Sequence, residues 1–233
     1  MDRDAFDHVR LLSHRKMNKI LLFLLLIAFR AVGGSAAESP SIPAQPDSII
    51  QEISAASSRI QSLQCTFIQT KHIAMLNDKL VSRGKIIYQQ PDKLLWQYTT
   101  PYSYTFIINR QQVIILNGHR TDVIDANRNR VFKEIARMMM NSLRGQCLTD
   151  NKSFQVTVSS GRTQGTGLEY IATLVPKRKE LKQLWDRLVL HFDVANQVVS
   201  TVEMYEKNGD HTIIQMQDVV VNKPVDAKIF NVE

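Results

Sequence analysis

From Gln64 to Ile124 the chain alternates through six short segments, each closed by a turn signal, and few folds satisfy such a pattern. Cys65, Phe67 and Gln69 alternate with Thr66, Ile68 and Thr70 to about His72. Asn77-Asp78 turns the chain into Leu80–Gln90, and Pro91-Asp92 turns it into Lys93–Thr99. Thr105–Ile108 turns at Asn109-Arg110 into Val113–Leu116. Asn117-Gly118, the strongest hairpin signal in the chain, leads to Thr121–Ile124. Strands this short, linked by turns this tight, predict an antiparallel meander.

The remaining chain extends the pattern after one interruption. Over residues 127–144, Val131, Ile135, Met138, Met139 and Leu143 recur at helical spacing among Arg128, Arg130, Lys133, Glu134 and Arg137, and Gly145 ends the segment. Ser153–Ser159, Leu168–Val175, Leu188–Asp193, Val198–Tyr205 and His211–Val221 read as further strands. The charged stretch from Lys177 to Asp186 reads as a connection with one helical turn. A first helix is expected after Asp47, with Ile49, Ile50, Ile53, Ile60 and Leu63 apolar behind it. The expected class is mainly β (α+β), with about eleven strands and two long helices.

In front of this domain stands an export signal. Ile20–Phe29 is an unbroken apolar run of ten, preceded by Arg15, Lys16 and Lys19 and followed by Ser35-Ala36-Ala37. A membrane-spanning helix needs roughly 20 apolar residues, and Arg30 stops this run at half that. Residues 1–37 therefore read as a signal peptide starting at Met17 and cleaved after Ala37. No cysteine follows the small residues, so a lipid anchor is not expected. Residues 38–46 form a Pro-rich leader and 47–233 the domain. Removing residues 1–37 takes away six Lys/Arg and three Asp/Glu and lowers the formal charge from +7 to +4. That mild balance, without a basic stripe interleaved with aromatics, excludes a nucleic-acid footprint. Cys65 and Cys147 permit one disulfide in an oxidising compartment, and two separate buried thiols fit the same pair.

The alternation sorts side chains by face. Leu63, Cys65, Phe67, Ile86, Tyr88, Leu94, Trp96 and Tyr98 share one side. Thr66, Thr70, Lys85, Gln89, Lys93 and Gln97 share the other, with Ile68, Ile87 and Leu95 as exceptions. Rings of this size need a partner layer about 10 Å away. A plain core would supply one. The run Met138-Met139-Met140 fits an adaptable binding surface, because methionine is unbranched and suits varied shapes, and it equally fits a gap-filling core.

Several segments carry a family resemblance: L-Q-C-T-F-I-Q-T-K at 63–71, R-G-K-I-I-Y-Q-Q-P-D-K-L-L-W-Q-Y with the following T-P-Y, N-G-H-R-T-D-V-I-D before the second helix, and V-D-A-K-I-F near the end. In order and spacing the chain resembles the LolA family of periplasmic lipoprotein carriers. The resemblance implies a single, strongly curved, incomplete antiparallel barrel with helices covering its open side. Acyl chains of an escorted lipoprotein, or another lipid, would lie between sheet and helices. The cargo-facing residues would be Phe67, Ile86, Tyr88, Leu94, Trp96, Tyr98 and Phe106 on the sheet, with Val131, Ile135, Met138, Met139 and Leu143 on the lid. It further implies a monomer that meets an inner-membrane lipoprotein exporter and an outer-membrane acceptor. Where the family typically has a lid-locking Arg, this chain has Gln90, which can bond a carbonyl but brings no charge. An acyl chain of roughly 15 methylenes carries about 12 kcal/mol of burial energy, so a carrier must supply most of that and still release.

No catalytic apparatus competes. His8, His14, His72, His119, His191 and His211 lack metal-ligand spacing with Cys, Asp or Glu. Gly161, Gly165 and Gly167 link two strands, not a strand and a helix, so they do not read as a phosphate loop. Asp122 and Asp125 read as a solvated edge, and no G-x-S-x-G elbow exists. The basic run Lys177-Arg178-Lys179 reads as a solvated loop. The expectation is a binding protein with no enzyme activity, cofactor or metal, its alternative role being a sensor of lipids or lipoproteins.

Overall fold

The computed structural model describes residues 46–76, 78–118, 120–125, 128, 140–141, 146–162 and 167–231. Helix α1 (Pro46–Ser58) opens on Pro46, which needs no partner for its nitrogen there, with Asp47 in the first turn. Ile49, Ile53 and Ala56 form its buried stripe. It stops at Ser58, sooner than the apolar spacing predicts. Leu63 belongs instead to the first strand, where it lies opposite Tyr88 on one side and Val221 on the other.

The strands are β1 (Ser62–Ile73), β2 (Asp78–Gln89), β3 (Lys93–Thr100), β4 (Tyr104–Asn109), β5 (Gln112–Asn117), β6 (Arg120–Asp125), β7 (Phe154–Arg162), β8 (Leu168–Pro176), β9 (Trp185–Asp193), β10 (Val198–Glu206) and β11 (His211–Val221). Between β8 and β9 lies a single helical turn, α2 (Lys179–Lys182). All eleven strands form one antiparallel sheet, ordered β6-β5-β4-β3-β2-β1-β11-β10-β9-β8-β7. Pairing of β1 with β11 joins the two halves of the chain, so β6 and β7 become the edges. Among the described residues those edges do not pair, and the sheet is open rather than a closed barrel. The Asn117-Gly118 signal forms the β5–β6 hairpin, with Gly118 at φ 60°.

One face, here the inner face, carries most of the core. Its β1–β5 half holds Leu63, Cys65, Phe67, Ile86, Tyr88, Leu94 and Phe106 with Ile214 of β11. Its β7–β10 half holds Phe154, Leu174, Trp185, Leu188, Leu190 and Phe192, roofed by Ile49 and Ile53 of α1 and by Leu148. Val202, Met204 and Met216 pack against both halves and make them continuous. The outer face has a smaller cluster of Leu95, Ile107, Ile114 and Phe230, flanked by Ile87 and Ile229. This explains two of the alternation's exceptions: Ile87 and Leu95 face outward because the C-terminal turn Ala227–Phe230 docks over them.

The outer face also carries a charged bridge across three strands. His191 Nδ1 lies 3.1 Å from Glu169 Oε2, and its Nε2 lies 3.0 Å from Glu203 Oε1. Both ring nitrogens meet carboxylates, which only the doubly protonated imidazolium satisfies as donor. The hydrogen bond to Glu203 raises the His191 pKa above 6.5 against the opposing effect of burial, with Glu169 adding to the rise. The same bond holds Glu203 below 4.5. The raised histidine contributes stability fully below pH 6.5 and loses it as pH climbs through its folded value. The depressed glutamate contributes above 4.5 and loses it as pH falls through its folded value. The urea-midpoint advantage of the native chain over His191→Gln should therefore peak between those two values and shrink at alkaline pH. A difference that does not vary with pH would contradict this bridge.

Candidate lipid-binding face

The seven sheet residues nominated from sequence all reach the inner face. Phe67, Ile86, Tyr88, Leu94 and Phe106 are buried there, and Trp96 and Tyr98 are partly buried against them. Tyr88 lies opposite Leu94 across the β2–β3 ladder and Ile86 opposite Trp96, so the large side chains stack in rungs. Phe67 sits opposite Gly84 on the neighbouring strand. With no side chain in the way, its ring crosses β2 to meet Trp96 at 5.4 Å and Tyr98 at 5.2 Å, the latter edge-on. A Cβ at Gly84 would fall 2.6 Å from that ring. Sequence reading did not single out Gly84, although a glycine inside a strand pattern signals close approach.

The lid residues Val131, Ile135, Met138, Met139 and Leu143 lie outside the described residues. Their neighbour Met140 is described. It is helical, buried, and packs in the β1–β5 half of the face. Helix α1 contributes only to the other half.

Among the described residues, Gln90 bonds to the α1–β1 connection. Its Nε2 donates to the carbonyl of Ile60 at 2.7 Å, and its backbone N–H donates to Gln61 O at 2.8 Å. It therefore pins the α1–β1 connection at the base of the helix. Tyr170 Oη adds a second tie, donating to Glu52 on α1 at 2.8 Å.

The disulfide option is corrected here: both cysteines are thiols. Cys65 packs in the β1–β5 half and Cys147 in the β7–β10 half, each as a buried thiol. Burial pushes the Cys65 thiol up to about 12, which leaves it un-ionised and unreactive.

At the far end of β1 the inner face turns polar. Gln69 and Lys71 point inward and are buried. Gln69 Oε1 accepts from Tyr98 Oη at 2.9 Å. Lys71 Nζ donates to Glu206 Oε1 at 2.8 Å and lies 3.7 Å from Asp210 Oδ2. Asp210 Oδ1 accepts from the Ala74 N–H. Sequence reading missed this group and the whole β7–β10 half. The inward alternation of Leu188, Leu190 and Phe192 was there to find the latter. Among the described residues no cluster of His, Cys, Asp or Glu has metal-binding geometry, and no helix is long and apolar enough to cross a membrane.

The sheet is open and antiparallel, with one continuous apolar face and a helix laid over part of it. The family model described as outer membrane lipoprotein carrier protein LolA matches residues 58–233, and the chain belongs to that family. No curated protein matches the sequence. Among solved structures, an uncharacterized conserved protein from Thermus thermophilus aligns at 8% identity and TM-score 0.51, covering 80% of this chain and 93% of that one. The MucA/MucB complex from Pseudomonas aeruginosa aligns at 12% identity and TM-score 0.50, covering 79% of this chain and 59% of that one. A LolA superfamily protein from Nitrosomonas europaea aligns at 11% identity and TM-score 0.44, covering 81% and 99%.

Proposed function

We propose that this chain is an exported, non-enzymatic periplasmic carrier. It holds acyl chains of lipoproteins against the inner face and passes them from an inner-membrane exporter to an outer-membrane acceptor, acting as a monomer. The observation that carries this reading is the inner face itself. Its aromatic and aliphatic rungs run unbroken from β5 to β7 through Val202, Met204 and Met216, while α1 packs over one half only. Family membership and the N-terminal export signal support the compartment. A second reading, a lipid- or lipoprotein-sensing module, takes support from the likeness to MucB, which is solved in complex with MucA.

Trp96 separates a binding face from plain core. Trp96→Ala should weaken displacement of a fluorescent fatty-acid probe at least ten-fold, because the ring supplies much of the contact area. Its midpoint of urea unfolding should move less than that loss implies. Proportionate loss of binding and stability would mean that the face is only a core.

A further inference from the structure

The inner face changes character along its strands, and the change falls at one place. Inward side chains on β1 run Leu63, Cys65 and Phe67, then Gln69 and Lys71. On β3 they run Leu94, then Trp96 and Tyr98. Across the strands Trp96 lies level with Cys65 and Ile86, and Tyr98 level with Phe67 and Gly84, so the polar end begins just beyond Tyr98.

Beside Tyr98 one donor has no acceptor among the described residues. Trp96 Nε1 is buried and makes no hydrogen bond. The Tyr98 oxygen is near enough for the indole to favour its ionised form, although burial dominates and raises the Tyr98 pKa overall. The alignment does not complete a bond, and Tyr98 Oη is oriented instead by donating its proton to Gln69. An indole N–H is a donor only, and leaving such a group buried and unmet is costly. Lys71 is already held by Glu206 and Asp210, so it does not recruit an anionic headgroup.

We infer that the Trp96 N–H donates to the carbonyl oxygen of an acyl ester or amide, and so orients the cargo. This rests on the carrier reading above. The hydrocarbon lies toward Tyr88 and Leu94, the carbonyl sits at Trp96, and the headgroup extends toward Tyr98 and Gln69. The ligand class is an acylated amphiphile, as distinct from an alkyl ether or bare hydrocarbon.

The test compares 1-monolauroylglycerol with 1-O-dodecylglycerol, which share chain length and headgroup and differ in the carbonyl. Displacement of a fluorescent apolar dye gives both affinities. Native protein should prefer the ester about five-fold, the worth of one neutral hydrogen bond. Trp96→Phe keeps a ring without the N–H, and should bind the two lipids equally. Ether and ester bound equally by native protein would overturn the inference while leaving the carrier reading intact, and this comparison needs no variant to fold. An ester preference that survives Trp96→Phe would overturn it too. Failure of either lipid to bind would overturn both readings together.

Discussion

Lys71→Met is expected to lower unfolding free energy by about 3–5 kcal/mol, the usual cost of stripping one partner from a buried charge group. Lys71, Glu206 and Asp210 are each less than a tenth exposed, and Asp210 is fully buried. The ammonium is the group that offsets both carboxylates, at 2.8 and 3.7 Å. Without it the two buried carboxylates lose their shared cation beside the β10–β11 hairpin, which also holds the end of β1 through the Asp210–Ala74 bond. Adding Glu206→Gln and Asp210→Asn to Lys71→Met removes those charges and should restore much of the loss. Urea unfolding of the single and triple variants checks this. A single-variant loss under about 1 kcal/mol, the range of exposed pairs, would show that the group is solvated.

Gly84→Ala should cost about 3 kcal/mol or more, at the upper end for overpacking. The new Cβ would collide with the backbone oxygen of Gln97 and stand 2.6 Å from the Phe67 ring. A side chain can rotate away, but the carbonyl belongs to the β2–β3 ladder, where Lys85 lies opposite Gln97 and Gly84 opposite Tyr98. The two obstacles are separable. Phe67→Ala in the Gly84→Ala background relieves the ring and leaves the carbonyl, so the double variant should stay strongly destabilised. Full rescue would place the conflict on the ring alone.

Period-two alternation is a local property, which is why the strands and the face shared by Ile86, Tyr88, Leu94, Trp96 and Phe106 were legible in the sequence. What escaped depends on distant partners. Ile87 and Leu95 looked like breaks in the pattern because their cover, Phe230 and Ile229, lies over a hundred residues along the chain. Lys71 read as one more polar residue, since nothing local shows that Glu206 and Asp210 meet it from the β10–β11 hairpin. Helix α1 was read too long because Leu63 fits a helical stripe and a strand face equally well, and pairing with β2 and β11 decides for the strand. Cys65 and Cys147 invited a bond by number, whereas packing sends them to different halves of the face.

The carrier claim is tested most directly on protein recovered from the periplasm and kept in mild, lipid-free buffer. Native mass spectrometry should show the chain with an acylated passenger, and added excess of an acyl probe should displace that passenger in proportion to its own binding. Protein that emerges empty, and that also fails to bind the probe, would contradict the account.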